Sequence, residues 1–146
     1  MTGLTKFVNY GIVSPKDQYN DYGEVAITDQ INYIMVMEYG TPDHAGPHSK
    51  YSEVADIRSR IDNALKNGAC GVIFINTNPD EQDPEIDFSK RITVSSIPVA
   101  FVKGAMATQL KNGSAKIAIT TKLHKDRKST RLNSSHLVIS YAVFCL

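Results

Sequence analysis

Residues 51–76 read YSEVADIRSRIDNALKNGACGVIFIN, and this stretch decides the fold class. Apolar side chains recur in it at helical spacing, at Ile57, Ile61, Ala64 and Leu65. Charged side chains are predicted to lie largely on the other side of this helix: Arg58, Arg60, Asp62 and Lys66. Gly68 can end the helix in a left-handed conformation, and Gly71 is expected to allow a tight turn before the apolar strand at 72–75. A helix, a short loop and a buried strand in succession predict an α/β layer.

The rest of the chain predicts more strands and a second helix. Strands are expected near 6–13, 24–27, 32–38, 71–76, 98–102 and 116–121, and helices near 52–67 and 105–112. Residues 32–38 are apolar on both alternating faces in their middle, which is typical of a central strand covered on both sides. Residues 78–89 contain prolines and carboxylates and predict a loop. We therefore expect one α/β domain, a mixed sheet curling into an open barrel flanked by two main helices.

Several short motifs occur in an order that resembles the protease-associated domain. They are FVNYGIV at 7–13, YNDY at 19–22, PH at 47–48, the helix and strand above, and IPVAFV at 97–102. The resemblance covers residues 6 to about 123 and is nearest to the version found in co-catalytic zinc aminopeptidases of the glutamate carboxypeptidase and transferrin-receptor-like superfamily. It is weakest at 26–32, where that family usually shows a Lys-Gly-Lys turn and this chain has Thr28, Asp29 and Gln30.

The resemblance implies a non-catalytic accessory domain, present here as a fragment of an exported zinc-dependent aminopeptidase. Such a domain borders the active-site cleft and restricts substrate access or mediates protein contacts, so its expected partners are the catalytic domain of the same protein and the peptide substrate. Zinc is implied only for that catalytic domain, and no cofactor is expected in this chain. The alternative is a free-standing interaction or sorting module of a receptor-like protein.

The polar stretch at 43–48 is the most suggestive candidate for a site. Asp43, His44 and His48 could in principle bind a metal, because two imidazoles four residues apart share one face of a helix. The glycines and prolines around them favour a loop instead, so we predict a surface that faces a substrate or partner, formed by Asp43, His44, His48 and Lys50. No catalytic residues are predicted.

Other patterns are weaker. The acidic residues of 78–89 lack the spacing of an EF-type calcium loop: Asp80, Glu81, Asp83, Glu85 and Asp87. No Gly-x-Ser-x-Gly elbow is present, and the glycines at 68 and 71 follow a helix rather than open one, which is the wrong order for a phosphate cradle. Cys70 is expected to be a small core residue rather than part of a disulfide.

Residues 126–146 need a separate interpretation. They resemble the conceptual translation of a sequencing adapter, with residues 137 and 138 where its variable index would lie. We predict a domain at 1–125 and a non-native tail at 126–146 that is disordered or loosely packed, although the apolar end alone would favour a real strand. In that reading the natural sequence beyond Lys125 is missing.

Charge and hydropathy exclude some classes of protein. The formal net charge is +1 for the whole chain, and it is −1 for residues 1–125, with 13 basic and 14 acidic side chains. This balance gives no basic stripe for nucleic acid, and the apolar end is too short to span a membrane. The first residues lack the apolar region of a signal peptide, so export is expected only for the parent protein.

Overall fold

A computed structural model describes residues 1–23, 31–81, 96–113 and 115–119, and the backbone of 122–124 and 138–140. The strands are β1 (Thr2–Phe7), β2 (Val13–Ser14), β3 (Tyr19–Asn20), β4 (Tyr33–Glu38), β5 (Ala69–Asn76), β6 (Val99–Lys103), β7 (Lys116–Ala118), β8 (Lys122–His124) and β9 (Val138–Ser140). The α-helices are α1 (Ile57–Lys66) and α2 (Ala105–Asn112), and short 3-10 helices cover Pro15–Asp17 and Gly46–His48.

A five-stranded mixed sheet, in the order β6-β5-β4-β1-β7, curls into a half-barrel. Strands β1, β4, β5 and β6 are parallel, and β7 runs antiparallel to β1. This confirms the predicted α/β class, with a mixed sheet and two flanking helices. Because the four parallel strands point the same way, their carboxyl ends lie at one edge, which we call the carboxyl edge.

The two helices cover opposite faces of the sheet. Alternate residues of β4 and β5 pack with α1 through its buried side chains Ile57, Ile61 and Ala64. The intervening residues pack with Ala107 and Leu110 of α2. All six residues of β4 are buried, so the predicted central strand, covered on both faces, is confirmed.

Helix α1 begins later than predicted, at Ile57 instead of residue 52. Asp56 is the N-cap, and its carboxylate accepts a hydrogen bond from the Ser59 N–H at 3.1 Å. Residues 51–54 form turns before it. Gly68 follows the helix with φ 79°, as predicted. Gly71, expected to turn the chain, instead lies inside β5.

The first predicted strand was misplaced. The main-sheet strand is Thr2–Phe7 rather than 6–13, because the chain turns after it at Asn9 (φ 47°) and Gly11 (φ 66°). Val13–Ser14 then pairs with Tyr19–Asn20 in a separate two-stranded ladder. Left-handed backbone at two nearby positions ends a strand even where apolar residues continue on either side.

The remaining predicted elements have mixed outcomes. The strands predicted at 98–102 and 116–121 correspond to β6 and β7, and the second helix has the predicted bounds. The strand expected at 24–27 and most of the acidic loop lie outside the described residues. Strand β9 pairs antiparallel with β8, Leu123 opposite Ile139, in a sheet of its own. The other residues of 126–146 are also outside the described part, so the non-native tail stays a prediction.

Candidate functional site at the carboxyl edge

Three connecting segments meet at the carboxyl edge of the sheet. They are residues 8–12 after β1, residues 39–56 after β4, and residues 76–81, which begin at the last residue of β5. In parallel sheets, ligand and partner sites form where such segments emerge together. The four residues predicted from the sequence all lie in the second segment, within what we call the 41–50 loop. The third segment is called the 76–81 loop.

Asp43 organises the 41–50 loop through its carboxylate. Its Oδ1 accepts hydrogen bonds from Thr41 Oγ1 at 2.8 Å and the Ala45 N–H at 3.3 Å, and its Oδ2 accepts from the Lys50 N–H at 3.1 Å. Desolvation raises the pKa of Asp43, but hydrogen bonds from Ser49, Thr41 and the backbone outweigh it and lower the pKa to about 2. Asp43 is therefore ionised at neutral pH, with its oxygens used to shape the loop.

His44 connects the 41–50 loop to its neighbours. Its Nδ1 lies 3.3 Å from Asn78 Nδ2 in the 76–81 loop. Its ring meets the Tyr10 ring edge-on, with centroids 6.3 Å apart and an interplanar angle of 72°. The His44 backbone is left-handed, with φ 52°. His48 ends the 3-10 helix at Gly46–His48 and is exposed, so the two imidazoles do not share the face of an α-helix.

Lys50 lies at the other end of the 41–50 loop and contacts an aromatic cluster. Its Nζ is 4.9 Å from the centre of the Tyr51 ring, and a hydrogen bond with Tyr51 raises the pKa of Lys50. The Tyr51 ring packs against Tyr19 at 5.1 Å. Within the described ranges, no three His, Cys, Asp or Glu side chains are grouped as metal ligands would be.

Glu38, the last residue of β4, places a carboxylate at the centre of the carboxyl edge. The residue is only 3% exposed. Its Oε1 accepts hydrogen bonds from the Thr77 N–H at 2.6 Å and from Thr77 Oγ1 at 2.8 Å. Lys111 of α2 brings its Nζ to 3.3 Å from Glu38 Oε2 and 3.0 Å from Thr77 Oγ1. This network joins β4, the 76–81 loop and α2.

Arg60 was predicted to face away from the core, and this prediction was wrong, because its side chain is only 3% exposed. Its guanidinium donates to three backbone carbonyls: Ala55 at 2.8 Å, Glu38 at 3.1 Å and Gly40 at 2.6 Å. Burial lowers the pKa of Arg60 to about 10, so it stays protonated at neutral pH. Arg60 thus fixes both ends of the segment between β4 and α1.

Asp21 plays the same part for the segment after β1. It is 8% exposed, and its Oδ2 accepts hydrogen bonds from the Tyr10 N–H at 3.2 Å and the Ile12 N–H at 2.9 Å. The Tyr19 side chain also bonds to it; burial first, and this hydrogen bond second, raise the pKa of the Tyr19 hydroxyl. The YNDY motif therefore positions Tyr10 beside His44.

An open groove of about 330 Å³ lies beside the 76–81 loop. Its lining comes from the ends of β5 and β6: Asn76, Thr77, Asn78, Pro79, Glu81, Lys103 and Gly104. Two of the side chains that line it bond to backbone groups of the 76–81 loop. Asn76 Nδ2 donates to the Glu81 carbonyl at 2.9 Å, and Asn78 Oδ1 accepts from the Asp80 N–H at 3.0 Å. These bonds shape the loop that borders the groove.

Comparison with known proteins adds no assignment to this geometry. No family model, curated protein or solved structure matches the chain. Neither helix in the described ranges has the length and apolar character of a membrane span. The residues of the carboxyl edge are therefore the basis for a functional proposal.

Sequence reasoning identified the 41–50 loop but missed the side chains that hold it in place. Arg60 had a usable signal, because it lies three residues after Ile57 and four before Ala64, the spacing of one helix face. Asp21 had a weaker signal, because its carboxylate lies between two tyrosines in the sequence. Glu38 is the last residue of an apolar strand, but nothing local indicated that Lys111 would pair with it.

Proposed function

We propose that this chain is a non-catalytic accessory domain whose carboxyl edge faces a partner, with the 41–50 loop as the main contact surface. The supporting observation is that the buried charged side chains at this edge form hydrogen bonds to the connecting segments. Asp21 and Arg60 bond to backbone groups of the connecting segments, and Glu38 bonds to Thr77. Hydrogen bonds of this kind hold loops in one conformation and reduce the entropy lost when a partner binds.

The partner follows from the sequence resemblance. We propose an exported zinc-dependent aminopeptidase as the parent protein, with this domain bordering the active-site cleft and restricting which peptides enter. Zinc and the catalytic groups would belong to the catalytic domain. His48 and Lys50 are exposed, and the carboxylate of Asp43 bonds to the Lys50 backbone rather than its side chain, so these two side chains could contact a peptide.

Two experiments test this proposal in turn. The first is to determine the coding sequence that follows residue 125 in the source genome. A metallopeptidase domain supports the accessory role; a membrane anchor would favour the receptor-like sorting module instead. A purified chain that releases amino acids from peptides only when zinc is present would contradict the non-catalytic assignment.

The second experiment uses the protein with its catalytic domain attached. His48→Ala and Lys50→Ala should change KM for long peptides by about twofold or more, while kcat for a minimal aminoacyl amide stays unchanged, because a surface contact bordering a cleft acts on binding. Lys116→Ala, at an exposed position on β7, is the matched control. Equal effects of all three variants would refute a special role for the 41–50 loop.

A further inference from the structure

The tetrapeptide Leu-Lys-Asn-Gly occurs twice in the chain, at 65–68 and at 110–113. Each copy ends an α-helix, since Lys66 is the last residue of α1 and Asn112 is the last residue of α2. An asparagine that precedes a glycine can lose its side-chain amide, because glycine has no Cβ to obstruct the approach of its nitrogen to the side chain. The same four residues stand in both places, so a difference in this reactivity has to come from the structure around them.

The first copy is held on both sides of the bond that would react. Asn67 Nδ2 donates to the Asn63 carbonyl at 2.8 Å, which directs the side-chain amide one turn back along α1. The Gly68 N–H donates to the Leu65 carbonyl at 3.0 Å. The next residue, Ala69, is 6% exposed and begins β5, which lies inside the sheet. Attack by the Gly68 nitrogen on the Asn67 side chain therefore requires that both hydrogen bonds open while the start of an inner strand moves.

The second copy is exposed and has fewer constraints. Asn112 and Gly113 are both exposed, and among the described residues the Asn112 side chain forms no hydrogen bond. The Gly113 N–H donates to the Gln109 carbonyl at 3.1 Å, in the last turn of an eight-residue helix. Gly113 is extended, with φ −147° and ψ 155°, so α2 ends without the left-handed glycine that follows α1. The reaction here requires one terminal hydrogen bond to open, and the last turn is where helices fray.

We propose that Asn112 is a site of spontaneous deamidation and that the structure protects Asn67 in the identical tetrapeptide. The Gly113 nitrogen forms a bond to Asn112 Cγ and gives up its proton, while the Cγ–Nδ2 bond breaks and ammonia leaves. Water then opens the resulting succinimide ring at one of its two carbonyls, which yields aspartate or isoaspartate at position 112. Water is the only co-reactant, and the net change is the exchange of an amide for a carboxylate. This inference goes beyond the proposed function and does not depend on it.

A carboxylate at position 112 would lie next to Lys111, which takes part in the network at the carboxyl edge. Lys111 Nζ lies 3.3 Å from Glu38 Oε2 and 3.0 Å from Thr77 Oγ1. The new negative charge would compete for this ammonium group, and it would stand at the C-terminus of α2, where the helix dipole disfavours it. Asn112→Asp should therefore unfold at a lower urea concentration than Asn112→Gln. An equal or higher midpoint would contradict this effect of the modification.

The test is incubation of the purified full chain at mildly alkaline pH, followed by mass spectrometry that distinguishes asparagine, aspartate and isoaspartate at both positions. Opening the extra hydrogen bond at Asn67 reduces its reactive population by about two- to tenfold, and moving the start of β5 reduces it further, so Asn112 should react about tenfold faster or more in the folded protein. In concentrated urea the structural difference disappears, and the two rates should be similar. Equal rates in the folded protein would overturn the proposal, and so would a difference of the same size in urea.

Three variants sharpen the result. Gly113→Ala should slow the reaction while the protein stays folded, because a Cβ at Gly113 would lie 3.7 Å from the Gln109 oxygen and extended backbone accepts alanine. Asn112→Gln should remove most of the ammonia released by the folded protein, since a glutamine side chain has to close a larger ring. Asn67→Gln is the matched control and should release as much ammonia as the unchanged protein. If Asn112→Gln and Asn67→Gln lowered the release equally, the proposed protection of Asn67 would be refuted.

Discussion

Replacing Arg60 by Met tests how the connecting segment between β4 and α1 is held. The substitution removes donors to the carbonyls of Ala55, Glu38 and Gly40, at 2.8, 3.1 and 2.6 Å. The bond to Glu38 is buried, whereas the other two are partly buried. We assign about 2 kcal/mol to the buried bond and about 1 kcal/mol to each of the others, since water can reach those carbonyls.

A part of that loss is offset by relief of desolvation. Arg60 is buried without a carboxylate among its hydrogen-bond acceptors, and removing a charge from such a site recovers roughly 1 kcal/mol. The apolar Met side chain can still fill much of the space beside Phe74, whose ring centre lies 5.8 Å from the guanidinium carbon. The expected loss in the free energy of unfolding is therefore about 3 kcal/mol, or about 10 °C in Tm.

Urea denaturation followed by circular dichroism measures this loss, with the m-value expected to stay constant. Arg58→Met is the matched control, because Arg58 is exposed on the same helix, and its effect should be under about 0.5 kcal/mol. Arg60→Lys separates charge from geometry, because an ammonium group keeps the charge but cannot reach three carbonyls on different segments. This variant should lower the free energy of unfolding about half as much as Arg60→Met. If Arg60→Met and Arg58→Met were equally stable, the bonding pattern would not hold the loop.

The sheet and both helices could be predicted because their signals are local. Apolar runs identified β4 and β5, and the left-handed residue after α1 was recognisable as Gly68. The misplaced first strand had a competing local signal, Asn9 and Gly11, which the apolar residues around them concealed. Turn chemistry at two residues outweighed a pattern that continued on both sides.

The carboxyl edge could be predicted only in part, because its contacts join residues far apart in the sequence. Glu38 meets Thr77 39 positions later, and Arg60 reaches back 22 positions to the Glu38 carbonyl. No periodic pattern in the sequence indicates which distant residues become such partners. The burial of Arg60 shows the physical reason most clearly. A charged side chain can lie on the buried face of a helix if several carbonyls on a nearby loop replace the water molecules that would otherwise hydrate it.

The remaining predictions concern Tyr22, Lys111 and Asp43. Tyr22 is 6% exposed, and its buried hydroxyl has no hydrogen-bond partner in the described part of the chain. The Tyr22→Phe variant should therefore be about 1 kcal/mol more stable than the unchanged protein in urea denaturation. Tyr19→Phe loses a bond to a carboxylate, so it should lower the stability instead. Lys111→Met leaves the Glu38 carboxylate without its cation and should cost about 1–2 kcal/mol by the same assay, and Glu38→Gln in that background should recover part of it. The pKa of Asp43 is lowered to about 2 from an ordinary 3.8. A lowered pKa in the folded state means that Asp43 stabilises the loop above pH 4 and that this contribution disappears as pH falls toward 2. Carbon NMR of the Asp43 carboxyl group should show that midpoint, and a midpoint near 4 would mean that the Thr41 and Lys50 hydrogen bonds do not persist in solution.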